Sequence, residues 1–458
     1  MTTDTLQTRR PPAPVPPQGA LGPIALYRAL RANAITAWRA EAYEEAYIVG
    51  RNRLGGFVLL NDPDLIRHVL IDNAANYPKD NLQLEKLTPA VGRGLLTAEE
   101  ESWRLQRRTV APLFQPAGVT SYLAAMAISV DEMLARWDRE TGATVDVARE
   151  MTRLTYDIIS RTVFSNEIET PPDVMGEAIT TYFGALGRID LWDVLPLPRW
   201  LPRPAFIRAK PAQKIFRDEV LRLFERRRAR IAAGESVPDD LVTRLINARD
   251  PETGAPLSDA VVHDNLVTFI GAGHETTANA LTWTLFLLSQ FPDADARVAA
   301  EATDAPDAEA LARLADTRMI LEEAMRLYPP VPFMSRQARS RDQIGEVTVA
   351  AGTRIIIAPW VLHRHRKLWP DADMFVPERF APENRGRIPR FAYLPFGAGP
   401  RICVGMTFAM QEALLALTMI ARRFRLTLAE GADVMPFARM TLRPMHGLPM
   451  RVEARSSG

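Results

Sequence analysis

One segment constrains the fold of this chain more than any other, the apolar stretch between Ser258 and Pro292. Serine is a good helix N-cap and proline cannot continue a helix, so the sequence predicts one helix over residues 258–290. At 1.5 Å per residue this helix would be about 50 Å long, enough to cross the whole molecule. Because it is apolar on most of its faces, we expect it to be central and buried.

Elsewhere the pattern predicts mostly helices. Residues 45–60 have the composition of a hairpin, and residues 344–358 and 424–453 alternate as short strands do. Residues 404–422 predict a further apolar helix. We therefore expect a mainly α protein with a small β-rich region, whose strands come from both ends of the sequence.

Two segments are predicted to be loops because helix-breaking residues interrupt them. Residues 80–98 combine leucines with proline and glycine, which suits a wall of a buried pocket. Residues 190–211 are rich in proline and aromatic residues and carry Trp192 and Trp200. This second segment is either a lid or a plain surface connection anchored by its two tryptophans.

Length and composition bound the function. With 458 residues, 47% of them hydrophobic, the chain has ample material for a large core. A net charge of +1 provides no strong field that would attract nucleic acid. We find no run of about 20 apolar residues and expect no membrane span. The proline-rich residues 1–22 are expected to form a flexible arm before a single catalytic unit over residues 23–458.

The single cysteine, Cys403, lies in a glycine-rich segment just before the predicted helix 404–422. One cysteine excludes an internal disulfide and suits a reducing compartment, so we expect a cytoplasmic protein. A thiol at a helix N-terminus has a lowered pKa and binds metals well, and glycines let backbone N–H groups approach its sulfur. The alternative, which is commoner for a lone cysteine, is an inert buried thiol.

The segment around this cysteine resembles the haem-binding signature of the cytochrome P450 family. Phe396, Gly399, Arg401, Cys403 and Gly405 match the family pattern Phe-x-x-Gly-x-Arg-x-Cys-x-Gly at every fixed position. The resemblance implies that Cys403 is the thiolate ligand of the iron of haem b. It implies a cytochrome P450 fold in which Phe396 keeps water from the sulfur and Arg401 pairs with an anionic haem group.

A second set of residues resembles the family's charged network, which locks the cysteine loop to the core. Glu323 and Arg326 match its Glu-x-x-Arg motif, and the spacing of three places them on one helix face. Arg379 matches the second arginine of that network. Taken alone, Glu323 and Arg326 are equally consistent with a surface pair of little energetic value.

Three residues match family positions that contact the haem propionates. Trp103 and Arg107 are four residues apart, so the indole N–H and the guanidinium share one helix face and both can donate to a propionate. Arg336 matches an arginine that contacts the other propionate.

The middle of the long helix, Ala272 to Thr277, resembles the family's oxygen-activation motif. Ala272 and Gly273 are small, so the helix can approach a haem and leave room for dioxygen. Glycine also weakens a helix locally, so we expect either a bulge or a hydroxyl bonded to a freed carbonyl. The resemblance implies that Thr276 hydrogen-bonds dioxygen and Glu275 relays protons. The alternative for both is an acid and a hydroxyl satisfied within the helix.

The resemblance also nominates an apolar pocket wall, which predicts a hydrophobic small-molecule substrate. Its members are Leu82, Leu84, Leu87, Val267, Ile270, Val331, Phe333, Met334, Met440 and Thr441. We see no flavin- or nucleotide-binding segment, so we expect electrons from NAD(P)H to arrive through a ferredoxin and its reductase. Arg104 and Arg108 share a helix face and are either part of a docking surface for this acidic partner or a plain solvated face.

Three functions are compatible with the resemblance. The first is a monooxygenase that inserts one oxygen atom from O2 into a hydrophobic molecule. The second is a haem-thiolate enzyme that uses peroxide or isomerises an oxygenated lipid, and such branches typically lose the acid–threonine pair that this chain keeps at Glu275 and Thr276. The third is a non-catalytic haem sensor, which predicts regulatory segments that we do not recognise. We therefore expect a monooxygenase.

Overall fold

The computed structural model of the protein describes residues 10–52, 55–187, 203–304 and 306–455. The helices in these ranges are α1 (Pro23–Ala32), α2 (Pro63–Arg67), α3 (Asn81–Val91), α4 (Glu100–Val110), α5 (Pro116–Thr120), α6 (Leu123–Arg139), α7 (Val147–Phe164), α8 (Pro172–Leu186), α9 (Pro204–Ala232), α10 (Leu241–Asn247), α11 (Asp259–Gln290), α12 (Pro292–Glu301), α13 (Ala308–Arg313), α14 (Ala315–Leu327), α15 (Pro359–Leu362), α16 (Pro382–Arg385) and α17 (Met406–Arg423). The strands are β1 (Tyr47–Asn52), β2 (Gly55–Leu60), β3 (Thr144–Asp146), β4 (Met334–Gln337), β5 (Asp342–Ile344), β6 (Val347–Val349), β7 (Arg354–Ile357), β8 (Phe424–Leu428), β9 (Pro436–Ala438), β10 (Leu442–Pro444) and β11 (Pro449–Ala454). The predicted mainly α fold with a small β-rich region is confirmed. Among the described residues we find no helix that is both long and apolar enough to cross a membrane.

The predicted long helix is α11, which runs for 32 residues from Asp259 to Gln290. Its start is capped as expected, because the side chain of Ser258 accepts a hydrogen bond from the N–H of Val261. Pro292 begins the next helix and does not extend this one. Helix α11 is largely buried and contacts α7, α9, α14 and α17. It is therefore the central element around which the other helices pack.

The sheets join segments that are far apart in the sequence. The largest has the strand order β1-β2-β7-β4. β1 and β2 form the predicted antiparallel hairpin, while β2 pairs in parallel with β7, with Phe57 opposite Arg354. A three-stranded antiparallel sheet has the order β3-β11-β8. Two antiparallel pairs, β5–β6 and β9–β10, complete the β region among the described residues.

Two apolar clusters pack against the two halves of α11. The C-terminal half packs with α6, α14 and α17, and here the rings of Trp283 and Tyr328 stack at 4.0 Å. The N-terminal half packs with α8, α9 and α10. The segment between these halves, residues 271–277, carries the short and polar side chains of the predicted oxygen-activation motif. The fold thus places this motif at the centre of the molecule.

The loop predicted over residues 80–98 is wrong in its first half, which forms helix α3. Asp80 caps this helix, because its side chain accepts a hydrogen bond from the N–H of Leu82 at 3.1 Å. The leucines that suggested a pocket wall are also good helix formers. Pro89 is tolerated because it lies close to the end of the helix, which Gly92 terminates with a φ of +66°.

The loop predicted over residues 190–211 is also corrected. Trp192 and Trp200 lie outside the described residues. From Pro204 onward the chain is helical and forms the 29-residue α9, with Pro211 inside it. A proline removes one backbone hydrogen bond, and the many remaining bonds and the buried face of so long a helix outweigh that loss.

The proline-rich arm is extended from Arg10 onward, but it is held against the rest of the protein. Arg10 forms an ion pair with Asp373 at 2.8 Å. The hydroxyl of Tyr328 donates to the carbonyl oxygen of Pro12 at 2.9 Å. Such docking is physically reasonable, because an extended proline-rich segment loses little entropy on docking and offers free carbonyl groups as acceptors.

Candidate active site

The segment from Phe396 to Gly405 forms a closed loop just before α17. The backbone N–H of Cys403 donates to the carbonyl oxygen of Phe396 at 2.9 Å, so the loop turns back on itself. The N–H of Gly405 forms a hydrogen bond to the sulfur of Cys403. Because α17 begins at Met406, the thiol lies immediately before a helix N-terminus.

The thiol of Cys403 is accessible although protein atoms surround it, so it lines a recess inside the molecule. Burial raises the pKa of this thiol, whereas the N–H of Gly405 and the charge of Arg107 lower it. The lowered pKa expected from the helix N-terminus is therefore not reached, because desolvation outweighs the two favourable contacts. A thiol that coordinates a metal loses its proton outright, so a bound metal would supply what the loop alone does not.

Gly399 is a point of close contact between the cysteine loop and the segment around Leu70. Its φ is +74°, and a β-carbon at this position would collide with the carbonyl oxygen of Leu70. Gly397 has a similar φ of +72°, but a β-carbon there would meet the end of Met334 at an ordinary distance of 3.8 Å. Conformation alone favours glycine at both positions, and close packing requires it only at Gly399.

Glu323 and Arg326 form a buried ion pair on α14. Two contacts of 2.7 Å join the guanidinium to the carboxylate, and neither side chain is exposed to solvent. Arg379 approaches the same carboxylate at 3.5 Å. The structure thus brings together the three residues of the predicted charged network, and Glu323 and Arg326 are not a surface pair.

This charged network extends to the cysteine loop through His363. Arg326 donates to the carbonyl oxygens of His363 and Ala372, each at 2.7 Å. The Nε2 atom of His363 accepts a hydrogen bond from the N–H of Leu394 at 2.8 Å. Burial lowers the pKa of His363 to about 3, so the ring is neutral and able to accept this bond. The carbonyl oxygen of Leu394 in turn accepts from the N–H of Gly397, at 3.1 Å.

Four cations, Lys79, Arg107, Arg336 and Arg401, gather beside the cysteine loop and share an electrostatic environment. Glu99 faces them, and its carboxylate pairs with Arg401 at 3.0 Å. Burial lowers the pKa of Lys79 to about 7 and that of Arg401 to about 10, and the neighbouring arginines add to both effects. Four cations opposed by this one carboxylate leave an excess of positive charge, which suits a ligand with two carboxylates.

Trp103 and Arg107 both face the cysteine loop from α4. The guanidinium of Arg401 lies over the Trp103 ring at 4.1 Å and donates to the carbonyl oxygen of Ala98 at 2.7 Å. Arg107 donates to the carbonyl oxygen of Ile402 at 2.8 Å. The residues predicted to contact the propionates therefore lie next to the cysteine, together with the buried Arg336.

Lys79 is the member of this cluster that sequence reasoning missed. It is buried, and its ammonium group donates to the carbonyl oxygen of Leu96. A short antiparallel contact with Arg336 brings it to the site. No local pattern marks a lysine after a proline as anything but a surface residue, so only the long-range pairing reveals it.

The oxygen-activation motif lies within an unbroken stretch of α11, so the expected bulge does not form. The second expectation, a hydroxyl bonded back to a carbonyl, is met twice. The hydroxyl of Thr276 donates to the carbonyl oxygen of Ala272 at 2.8 Å, and the hydroxyl of Thr155 on α7 donates to that of His274 at 2.9 Å. Ala272 is exposed although α11 as a whole is buried, so the helix leaves open space beside this turn.

Glu275 is held by an element other than its own helix. Its Oε1 atom accepts a hydrogen bond from the hydroxyl of Thr441, in the turn between β9 and β10, at 2.7 Å. His274, the next residue, is fully buried with its Nδ1 atom 3.1 Å from the carbonyl oxygen of Ile270, and burial lowers its pKa. The alternative in which the side chain is hydrogen-bonded within its own helix therefore applies to Thr276 but not to Glu275.

Three residues predicted to line the pocket belong to the core. Val267 and Ile270 are fully buried among the side chains of α8 and α9, and Leu87 on α3 lies in the same cluster. The helical repeat explains the error, because Val267 and Ile270 lie on the opposite side of α11 from Ala272. Residues four apart share a helix face, so the face of α11 that carries Ala272 also carries Thr268, and not Val267 or Ile270.

The other predicted wall residues are half-buried. They are Leu82 and Leu84 on α3, Val331 and Phe333 before β4, Met334 at its start, and Met440 and Thr441 in the β9–β10 turn. Met334 packs beside Gly397 of the cysteine loop, while Thr441 reaches Glu275 on α11. These residues therefore connect the thiol side of the site to the central helix with a mainly apolar surface.

Arg108, for which the sequence left a docking surface or a plain solvated face open, is bound by two carboxylates of its own chain. Its guanidinium makes two contacts of 3.0 Å to the buried carboxylate of Asp250 and a third, also of 3.0 Å, to Glu252. These hydrogen bonds lower the pKa of Asp250 to about 2, so the pair stays ionised and closed. Arg104 is exposed and pairs with Glu101 at 3.2 Å.

An accessible thiol beside an excess of cations defines a class of proteins that hold an anionic, metal-bearing cofactor. Comparison with known proteins agrees. A family model described as "Cytochrome P450" matches residues 20–449. Cyclooctat-9-en-7-ol 5-monooxygenase of Streptomyces melanosporofaciens is 33% identical over 385 residues, which are 81% of this chain and 80% of that protein.

A second relative, pentalenene oxygenase of Streptomyces avermitilis, is 32% identical over 405 residues, which are 86% of this chain and 87% of that protein. The crystal structure of the cytochrome P450DA heme domain superposes with a TM-score of 0.84 at 27% identity, covering 98% of this chain and 99% of that one. The chain belongs to the cytochrome P450 family. It is a monooxygenase of hydrophobic small molecules that uses haem b, O2 and electrons from NAD(P)H delivered by partner proteins. The accessible thiol of Cys403 and the excess of cations beside it fit haem b.

Proposed function

We propose that the substrate is a cyclic terpenoid, and that this chain hydroxylates it. The observation that carries the proposal is the similarity, over more than four-fifths of the chain, to two bacterial monooxygenases of hydrophobic terpenoids. The half-buried apolar side chains of Val331, Phe333 and Met440 support it, because a rigid hydrocarbon skeleton needs a wall of this kind and few polar partners.

A binding titration tests the substrate class. We expect terpene hydrocarbons and terpene alcohols to shift the haem absorption band at micromolar concentration. Straight-chain fatty acids of equal carbon number serve as the matched control. Tighter binding of the fatty acids than of every cyclic terpenoid would reject the proposal.

We infer further that Cys403 is the iron ligand and that Arg107, Arg336 and Arg401 bind the propionates. When bound, haem supplies the iron at which dioxygen is activated, and a thiolate ligand favours that activation. The reduced protein with carbon monoxide should show a strongly red-shifted absorption band. Cys403→Ser should abolish this band while leaving the helical circular dichroism unchanged. A band that persists in the variant would refute the ligand assignment.

For the proton transfer we propose roles for Thr276 and Glu275. Thr276 offers a hydroxyl at the open turn of α11 beside Ala272, and Glu275 is the adjacent carboxylate that can be reprotonated from solvent. Thr276→Ala should continue to consume NAD(P)H but release peroxide and form at least about tenfold less product. Thr276→Ser keeps the hydroxyl and is the control. Normal yield per electron in the alanine variant would contradict the assignment.

We propose an acidic ferredoxin as the electron donor. The protein surface next to Gly399 has a recess of about 600 Å³ whose lining includes Arg67, Ile71 and Arg390. Both arginines are exposed, and Ile71 packs against the cysteine loop near Gly399. Asp64 also lines this recess and Asp72 pairs with Arg67, which leaves Arg390 as the cation of the lining that would attract a negatively charged partner close to the thiol.

Charge reversal tests this docking face. The double variant Arg67→Glu and Arg390→Glu should lower ferredoxin-driven turnover and weaken its dependence on salt, while peroxide-supported turnover stays unchanged. Arg149→Glu is the matched control, because Arg149 is exposed on α7 and pairs with the exposed Asp173. Equal loss in the control, or no loss in the double variant, would contradict the docking face.

We propose that residues 23–458 act as one haem domain in the cytoplasm. A thiol that must bind iron has to stay reduced, which a reducing compartment favours. Cell fractionation should recover the haem-containing protein with the cytoplasmic fraction. Recovery with the membrane or periplasmic fraction would reject this location.

A further inference from the structure

Thr441 lies in a tight turn that reaches the centre of the oxygen-activation motif. The turn joins β9 to β10 and is closed by a hydrogen bond from the N–H of Arg439 to the carbonyl oxygen of Thr441 at 3.1 Å. The hydroxyl of Thr441 donates to the Oε1 atom of Glu275 at 2.7 Å. These two residues are 166 positions apart in the sequence, so the contact is a product of the tertiary fold.

The β9–β10 turn is fixed independently of Glu275. The indole N–H of Trp283 donates to the carbonyl oxygen of Leu442 at 3.0 Å, and the N–H of Leu442 donates to that of Pro330 at 2.9 Å. On the other strand, the side chain of Asn33 bonds to Pro436 at 2.8 Å and to Ala438 at 2.9 Å. The hydroxyl of Thr441 is therefore presented from a rigid support and does not follow the carboxylate.

The same turn is also anchored to the end of α8. Arg439 donates to the carbonyl oxygen of Gly184 at 3.2 Å. A β-carbon on Gly187 would lie 2.6 Å from the backbone nitrogen of Met440, so the two segments are in close contact. Glu275 thus meets a support that is held on both sides, by α11 and by α8.

A carboxylate on a half-buried helix turn has several rotamers, and only some of them place it near the hydroxyl of Thr276. The hydroxyl of Thr276 is itself directed to the carbonyl oxygen of Ala272. Proton transfer between two such groups needs one side chain to stay in place while the other rotates. Among the residues that the structure describes, Thr441 provides the side-chain hydrogen bond that restrains Glu275.

We propose that Thr441 is a positioning residue for proton delivery: its hydroxyl holds the carboxylate of Glu275 beside Thr276. The inference rests on the proposed roles of Glu275 and Thr276. In each transfer a proton taken up at Glu275 replaces the one that Thr276 gives up, so both residues return to their starting state. Thr441 donates its hydrogen bond throughout and neither gains nor loses a proton.

Thr441→Val tests the proposal, because it removes the hydroxyl and keeps the shape of the side chain. We expect about a tenfold rise in the ratio of peroxide to product, the size associated with one hydrogen bond to a charged group. The solvent deuterium isotope effect on product formation should rise with it. Thr441→Ser should restore both quantities, since it restores the donor. A merely structural role of the turn would change the unfolding temperature but not the isotope effect.

Thr282→Val is the matched control. Thr282 lies on α11, the helix that carries Glu275, and its hydroxyl donates to the carbonyl oxygen of Ala278 within that helix. The same substitution there should leave the peroxide ratio unchanged. A change equal to that of Thr441→Val would overturn the proposal, because it would reflect general damage to α11.

A double variant separates this inference from the roles on which it rests. If Thr441 acts through Glu275, Thr441→Val adds nothing to the uncoupling caused by Glu275→Gln. If Glu275→Gln uncouples and Thr441→Val does not, the inference about Thr441 is wrong and the proton role of Glu275 stands. If Glu275→Gln leaves coupling normal, the proposed role of Glu275 itself fails, and the inference falls with it.

Discussion

At the scale of single residues, Lys79 shows how the fold prepares a site for a charged cofactor. Its ammonium group is buried among arginines, and burial lowers its pKa to about 7. In the unfolded chain this lysine keeps its proton up to about pH 10.4. The unfolded state therefore binds the proton more tightly between pH 7 and 10, and raising the pH in this range favours the folded protein without cofactor.

The affinity for a carboxylate-bearing cofactor should depend on pH in the opposite direction and fall as the pH rises. A propionate beside Lys79 would raise its pKa, so haem binding takes up a proton above pH 7. We predict that haem leaves the protein faster as the pH rises from 7 to 9, by at most about tenfold per pH unit. Transfer of haem to apomyoglobin, followed by absorbance, measures this rate.

Two variants make the assignment of this pH dependence to Lys79 specific. Lys79→Met should flatten the dependence on pH. Lys214→Met is the control, because Lys214 is exposed and pairs with Asp218 on the surface of α9. Identical pH profiles for the natural protein and Lys79→Met would show that another group titrates.

The buried pair of Glu323 and Arg326 supports a prediction about stability. Arg326→Met would leave a carboxylate without its main partner and free the carbonyl oxygens of His363, Ala372 and Met374. Breaking a buried pair from one side costs about 3–5 kcal/mol. We expect a loss of this size in the free energy of unfolding, measured with urea.

An exposed ion pair provides the comparison for this stability prediction. Arg313→Met breaks the pair of Arg313 with Glu309, whose side chains are mostly exposed. Such i,i+4 pairs contribute about 0.3–0.5 kcal/mol. Similar losses for the two variants would mean that the buried network is not what anchors the cysteine loop.

At the scale of elements, the cysteine loop offers a matched pair of glycines. Gly397 and Gly399 share nearly the same positive φ, but a β-carbon at Gly399 would collide with the carbonyl oxygen of Leu70. Gly397→Ala should cost about 1–2 kcal/mol for the backbone conformation alone. Gly399→Ala should cost clearly more and lower the haem content of the purified protein. Equal effects would mean that the contact with Leu70 relaxes freely.

Elements also show where sequence reasoning succeeds and where it stops. α11 was predictable because its caps and its apolar faces are local properties of the sequence. α3 was not, because Pro89 and the glycines predicted a loop and the cap at Asp80 was not recognised from the sequence. The pocket side of α11 was misassigned at Val267 and Ile270, since a helix that is apolar all round does not reveal which face meets α8 and α9.

At the scale of the whole molecule, the proline-rich arm connects the N-terminal part of the chain to the charged network. Arg10 pairs with Asp373, whose neighbours Ala372 and Met374 accept hydrogen bonds from Arg326. Removal of residues 1–17 should therefore lower the unfolding temperature, by about 1–4 °C for the loss of one ion pair and of the hydrogen bonds to the carbonyl oxygens of Pro12 and Pro17.

Differential scanning calorimetry measures the effect of this truncation. Tyr328→Phe, which removes only the hydrogen bond to the carbonyl oxygen of Pro12, should account for part of the shift. Truncation without any change in the unfolding temperature would mean that the arm is bound too weakly to support the network.

The overall architecture and the chemistry of the site followed from motifs that the chain carries in one piece, such as the cysteine loop and the glutamate–arginine pair. What the sequence could not reveal depends on pairings between distant segments. Lys79 reaches the site through Arg336, and Thr441 reaches Glu275 through the β9–β10 turn. In each pair the two residues are too far apart in sequence to share a helical turn or a hairpin, so no periodic pattern predicts that they are in contact.

The parallel pairing of β2 with β7 has a consequence for synthesis of the protein. Phe57 lies opposite Arg354, so roughly 300 residues must be translated before β2 meets this partner. At about 5–20 residues per second, one edge of the hairpin stays open for about 15–60 s on the ribosome. The unpaired backbone groups of an open strand edge can form hydrogen bonds with strands of other chains. We therefore expect nascent chains to bind chaperones at this stage. Expression at a lower growth temperature should raise the yield of haem-loaded protein.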